Sequence, residues 1–182
     1  MVYYRKISDT VNSIKNKYRE TDPFKLCEEM SIILMPKCWG TDEDCIKGFF
    51  VTQNKCKLIA YNSDLPEPMQ NMIIFHEIGH SVLHSDRNAS GFSDVLMFDK
   101  NSVTENEANL FAAEYMLSDE EVLEVLDENI TFFTAAAMLN IPYELLDFKF
   151  RIMKWKGYPI KDAPVISRSN FLKNINIPHS FN

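Results

Sequence analysis

His76-Glu77-Ile78-Gly79-His80 sets two imidazoles and a carboxylate within five residues. On an α-helix, residues four apart sit one turn apart on the same face. Two histidines so placed can bind one Zn²⁺, each at roughly 2.0–2.1 Å. Glu77 follows the first histidine and can lie beside the metal. There it can act as general base toward a water that the ion acidifies. The motif offers two ligands and a base, and its setting must show that it is more than a short coincidence of letters.

The setting is helical. Pro66 and Pro68 suit a helix start, where proline is tolerated. Met69, Met72, Ile73, His76, His80 and Leu83 then recur at three- and four-residue spacings, the pattern of an inward-facing stripe. An unpartnered imidazole inside such a stripe is costly. A single core histidine can be satisfied by a backbone carbonyl, but two histidines and a glutamate favour a metal.

A catalytic zinc needs a third protein ligand and an open position. Glu105-Asn106-Glu107-Ala108-Asn109-Leu110-Phe111-Ala112-Ala113-Glu114 supplies candidates. At about 100° per residue, Ala108, Leu110, Phe111 and Tyr115 flank the direction of Glu107. Glu114 points almost the same way, and Glu105 points to the opposite side, near Asn109. Glu107 is therefore favoured as the third ligand over Glu114, with an Arg or Lys partner as the structural alternative for a buried carboxylate. The other carboxylate is expected to support a ligating histidine. His84 continues the face of the metal helix, but eight residues of helix span about 12 Å, too far for His76 and His84 to share one ion. It is read as a pocket-wall or helix-terminal residue.

These two segments together, His76 to His84 and Glu105 to Glu114, resemble the ImmA/IrrE metallopeptidase family. The run Lys57-Leu58-Ile59-Ala60-Tyr61-Asn62 is similar to the family's short strand ending in asparagine. The likeness spans roughly residues 45 to 120. It implies a zincin-like fold, a third ligand at Glu107, and cleavage or control of helix-turn-helix repressors of mobile elements or stress genes. Leu117-Ser118 stand where a proline is frequent in the family.

The remaining elements must position this site. Residues 7–19 and 23–30 read as helices, the second opened by Asp22-Pro23. Ser31 to Met35 reads as a buried strand ended by Pro36. Gly48 to Thr52 and Lys57 to Tyr61 read as two strands joined by a hairpin turn at Gln53-Asn54-Lys55. Residues 86–103 read as a loop with the apolar insert Val95 to Phe98, a lid or substrate edge if it borders the site. Ser118 opens a further helix with an acidic first turn. Thr131 to Leu139 and Tyr143 to Lys156 form a helix-turn-helix in outline. Lys149, Arg151, Lys154 and Lys156 make its second helix basic, while Leu146, Phe150 and Met153 give it an inner stripe; a hairpin packed on the core is favoured over a DNA-reading unit. The predicted class is α+β: a small, antiparallel-containing sheet, an active-site helix and a helical C-terminal part. Residues 1–128 are expected to form the zincin-like domain and 129–182 a helical extension packed on it.

Composition bounds the function. The 182 residues are 46% apolar, enough for one sizeable core. A formal net charge of −7 argues against general nucleic-acid or anionic-membrane binding. No apolar run reaches the roughly 18 residues of a membrane span, and Met1 to Lys6 lacks the apolar core of a signal peptide, so a cytosolic protein is expected. Cys27, Cys38, Cys45 and Cys56 form no C-x-x-C pair and read as reduced thiols.

The expected activity is zinc metallopeptidase: Zn²⁺ on His76, His80 and Glu107, Glu77 as base, and Tyr115, Tyr143, Tyr158 or His84 as the group that holds the oxyanion. The expected partner is a helix-turn-helix repressor, cut at an exposed linker. The alternative is a zinc-stabilised regulatory protein that binds such a repressor without cutting it.

Overall fold

The computed structural model describes residues 2–42, 44–84, 102–127 and 129–174. The chain opens with helix α1 (Val2–Tyr18), which buries Ile7, Val11 and Ile14 at helical spacing. It begins five residues before the expected start. Tertiary contacts extend it: the Tyr3 hydroxyl accepts from Asn106 at 2.9 Å, and Tyr4 stacks on Trp155. Helix α2 (Pro23–Glu29) starts as its sequence dictates, with the Asp22 carboxylate accepting from the backbone N–H groups of Phe24 and Lys25.

Strands β1 (Ile32–Lys37), β2 (Gly48–Gln53) and β3 (Cys56–Asn62) form one mixed sheet in the order β1-β3-β2. The central β3 runs parallel to β1 and antiparallel to β2. Strand β1 passes through Pro36, where the sequence suggested an end. An edge strand needs hydrogen bonds on one side only, so a missing N–H is tolerated there. The β2–β3 hairpin turns through Asn54 (φ 51°) and Lys55 (φ 67°), a two-residue loop whose left-handed residues match strand twist. Asn62, at the end of β3, is fully buried and ties down the preceding loop. It donates to the carbonyls of Gly40 and Ile46 and accepts from the N–H groups of Trp39 and Asp64.

Helix α3 (Glu67–Leu83) packs between the sheet and helix α4 (Ser102–Met116). The expected single stripe understates its burial: Ile74, Phe75 and Ile78 are buried as well as Met69, Met72, Ile73 and His76. Gly79 lets the two helices approach. A Cβ there would lie 3.2 Å from the Ala108 Cα and 3.2 Å from Phe111 side-chain atoms. Helix α4 is the axle of the molecule, flanked by α1, α3 and α7 (Tyr143–Lys156), with Ala108 to Tyr115 all buried. It ends at Met116 without a proline, because Ser118 caps helix α5 (Asp119–Val125) through a capping box with Glu121.

Helix α6 (Phe132–Met138) and α7 form the C-terminal hairpin, with Thr131 capping α6 and Gly157 (φ 98°) ending α7. Helix α7 faces two ways. Leu145, Phe148 and Ile152 join the main core, while Leu146, Phe150 and Met153 pack with Val122, Ala135 and Ala136. Its cations are engaged: Lys149 by Glu114 and Asp119, Arg151 by Asp147, Lys154 by Asp162, and Lys156 by Glu114 and Asp119. A short 3-10 turn (Phe171–Asn174) follows. No helix among the described residues is long and apolar enough to cross a membrane. The expected loop and its insert Val95 to Phe98 lie outside the described residues, apart from Ser102 and Val103, which open α4.

Candidate metal centre

Helix α3 carries His76 and His80 on one side, one turn apart. Their Nε2 atoms converge to 3.0 Å and the rings meet edge to face. The first turn of α4 brings Glu105 against both. Its Oε2 lies 3.5 Å from His76 Nε2 and its Oε1 lies 3.4 Å from His80 Nε2. Among the described residues, these three form the group of ligand-type side chains able to hold a metal ion.

The set fits zinc by geometry and by chemistry. Around a tetrahedral ion with ligands at roughly 2.0–2.1 Å, neighbouring ligand atoms stand about 3.3 Å apart. The two Nε2 atoms, 3.0 Å apart, and the carboxylate of Glu105, with one oxygen 3.5 Å from His76 and the other 3.4 Å from His80, lie near that spacing. Two neutral imidazoles cannot both present lone pairs to one another without a cation or a proton between them. Ligation through Nε2 leaves the proton on Nδ1. The His76 Nδ1 is buried and has no hydrogen-bond partner among the described residues. Three protein ligands leave a fourth position, as catalytic rather than structural zinc requires.

The electrostatics distinguish the two carboxylates. Burial opposes ionisation of Glu105, but hydrogen bonds and charge from His76 and His80 outweigh it and hold its carboxyl well below the usual range. Burial pushes the Glu77 carboxyl up to about 7; His80 and the backbone N–H of Phe50 oppose the shift, and Glu105 adds to it. A carboxylate poised near neutrality can both accept and return a proton.

The structure brings to the histidine pair a different carboxylate from the one the sequence favoured. Glu107 does not join His76 and His80. Its Oε2 lies 3.2 Å from Nε2 of the buried His84, at the C-terminal end of α3. Glu105 takes the place expected of Glu107. A helical face singles out one carboxylate only where one side of the helix is buried and the other faces solvent. Helix α4 is instead buried nearly all round, so hydrophobic neighbours cannot tell which side meets α3. A better signal was present: Glu105 and Ala108 are three apart, and Ala108 is the residue that Gly79 touches. Small residues mark the line of closest helix approach, and Glu105 shares it. Glu114 takes the structural alternative, with its carboxylate 2.7 Å from Lys149 Nζ and 2.6 Å from Lys156 Nζ.

The oxyanion candidates separate in the same way. The Tyr115 hydroxyl donates to the Glu20 carbonyl, and its ring stacks on Phe75. Tyr143 opens α7 beside Phe133. Tyr158 packs against the apolar cluster around Leu146 and Met153. His84 is next to the histidine pair, its ring centroid 5.6 Å from that of His80. Of the four free cysteines, Cys27 is buried and Cys38 and Cys56 are exposed, while Cys45 is partly buried with its sulfur 3.0 Å from Lys47 Nζ.

The peptidase family description "IrrE N-terminal-like domain" matches residues 44–151, a span that contains both site helices. The chain is 30% identical over 146 residues to the uncharacterized immunity region protein 2 of Bacillus phage phi105, covering 80% of this chain and 90% of that protein. It is 26% identical over 145 residues to the metallopeptidase ImmA of Bacillus subtilis (strain 168), covering 79% of this chain and 83% of that protein. With the matched region spanning more than half of its length, the chain belongs to the ImmA/IrrE-type metallopeptidase family.

Proposed function

We propose that the protein is a cytosolic zinc endopeptidase that cuts a helix-turn-helix repressor of a mobile element. The observation that carries this reading is the convergence of His76, His80 and Glu105 beside the buried Glu77. His76, His80 and Glu105 would hold the ion, and Glu77 is the base. Bound zinc would supply Lewis acidity, polarising a peptide carbonyl and lowering the pKa of a water. Glu77 accepts the proton of the attacking water and returns it to the leaving amine. Burial around Glu77 keeps bulk water from competing for that proton. His84, whose ring centroid lies 5.6 Å from that of His80, is the oxyanion candidate that this reading favours.

The substrate class rests on the kinship with a phage immunity-region protein and with a metallopeptidase named ImmA. It also rests on the net charge of −7, which favours a basic DNA-binding partner through steering that weakens with salt. An extended linker can pair with the free edge of β2, which lies on α3 beside the site. The division into a zincin-like domain over 1–128 and a helical extension over 129–182 belongs to the same reading, with Lys149 and Lys156 of the extension joined to Glu114 of the domain.

The test is to mix purified protein with the repressor encoded beside its gene and follow the repressor's mass. Wild type should cut it once, and Glu77→Gln should bind zinc but leave it whole, a loss on the order of 10²–10⁴-fold. Release of an intact repressor from its operator by both proteins would replace this reading with the non-proteolytic one.

A further inference from the structure

Asparagine is a poor helix former, and burying its amide costs free energy unless the group is bonded. Asn109 nevertheless lies inside α4, fully buried, one turn and about 6 Å of rise beyond Glu105. Its Nδ2 donates to the Ser169 carbonyl at 2.6 Å. Its Oδ1 has no hydrogen-bond partner among the described residues, so among them the Ser169 carbonyl alone offsets the burial of the amide. That carbonyl belongs to a strap, residues 167–172, which is itself pinned to α7. The Ser167 N–H donates to Asp147 Oδ2 at 2.8 Å, and the Ser167 carbonyl accepts from Arg151 Nη2 at 2.8 Å. Asp147 and Arg151 pair with each other one turn apart. Further along, the Phe171 ring lies 5.5 Å from that of Phe148, and Leu172 is buried.

A strap fixed on α7 and bonded to α4 ties the two helices at one height and one rotation. That rotation matters to the metal centre. Residues four apart share a helix face, so the turn that Asn109 anchors is the turn that presents Glu105. A ligand must meet its ion to within about 0.2 Å, a tighter tolerance than helix packing alone imposes. We propose that Asn109 is a positioning residue for the metal ligand: through Ser169, the strap holds the first turns of α4 so that Glu105 stays against His76 and His80. The strap then has two states, docked and lifted, and the docked state binds zinc more tightly. Linkage is reciprocal: lifting the strap weakens zinc by the same factor by which zinc holds the strap down. This rests on the reading of His76, His80 and Glu105 as the metal centre, and it does not depend on peptide cleavage.

The experiment combines amide exchange by NMR with zinc affinity measured against a competing chelator. In wild type, zinc should slow exchange of the Ser167 amide by at least about fivefold, the lower end of ordinary coupling between sites. The Thr134 amide, bonded within the α6 cap, should not respond. Asn109→Leu keeps the side-chain volume and favours helix, but it cannot donate to Ser169. It should weaken zinc by about the same factor and abolish the response of Ser167 to zinc. Asp147→Ala, which releases Ser167 at the α7 end of the strap, should weaken zinc in the same direction. Wild-type zinc affinity in either variant would overturn the proposal. So would a Ser167 amide that ignores zinc, or one that slows no more than Thr134 does, since that would be general stabilisation. The wild-type exchange measurement decides the matter even where a variant does not fold. A wild-type protein that holds zinc and cuts nothing would overturn the peptidase reading and leave these measurements to decide the strap; one that holds no zinc would overturn both.

Discussion

The two ends of α4 each turn a carboxylate inward, buried at Glu114 and half-buried at Glu105, and they handle it in opposite ways. At the C-terminal end, Glu114 meets two ammonium groups, Lys149 and Lys156, and accepts from the Ser8 hydroxyl. Its charge is cancelled by protein cations, and the result ties α1, α4 and α7 together. At the N-terminal end, Glu105 meets two imidazoles, which are neutral unless protonated. There the protein supplies donors of electron pairs and no permanent positive charge. A buried carboxylate matched by lysines is a staple; one matched by converging imidazoles is a seat for a cation.

The comparison is sharpest in metal binding. Glu105→Ala should weaken zinc by at least about 10²-fold, the upper range for losing even a supporting partner of a ligand, whereas Glu114→Ala should leave zinc in the folded protein unchanged. Metal analysis after dialysis against a weak chelator reads both. Zinc retained by Glu105→Ala and lost by Glu107→Ala would reinstate the sequence expectation and remove the contrast.

Stability should show the reverse order. Glu114→Ala removes one of the two carboxylates that hold Lys149, which is 1% exposed, and should cost about 1.5–3 kcal/mol in urea unfolding. Glu107→Ala removes a partly exposed partner of His84 and should cost about 1 kcal/mol, with zinc content kept. A Glu114→Ala protein as stable as wild type would mean that the ammonium cluster is not a staple.

The smallest effect concerns acid. Burial opposes ionisation of Asp119, but Lys149 and Lys156 outweigh it and hold its folded-state pKa below the ordinary value. A depressed carboxylate contributes stability that is present above its unfolded pKa, about 3.9, and lost as pH falls toward the folded value. Asp119→Asn should therefore flatten the acid limb of the stability curve below about pH 4 and leave its neutral zinc content untouched. An acid limb as steep as that of wild type would show that Asp119 is not coupled to folding.

Local chemistry was legible in the letters. Asp22-Pro23 and Ser118-Asp119-Glu120-Glu121 announce helix starts because caps act within one turn. Asn54-Lys55 announces a hairpin because few backbone conformations close it. His76 and His80 share a face because the helical period leaves no alternative. Beyond one element the signals weakened. The early start of α1 depends on Asn106 and Trp155, more than a hundred residues away. The basic look of α7 concealed ion pairs that form only when α4 and α5 lie beside it.

By itself, then, the sequence determined the pair of histidines, the glutamate between them and the order of helices and strands, since each follows from periodicity or capping within a single element. Only the tertiary structure decided which of Glu105, Glu107 and Glu114 meets that pair. Helix α4 is apolar on nearly every side, so its own pattern assigns no direction to any carboxylate. Its rotation is set by the contact of Gly79 with Ala108 and Phe111 and by the lysines that claim Glu114. Those are contacts between elements, and a helical period cannot encode the partner against which a helix turns.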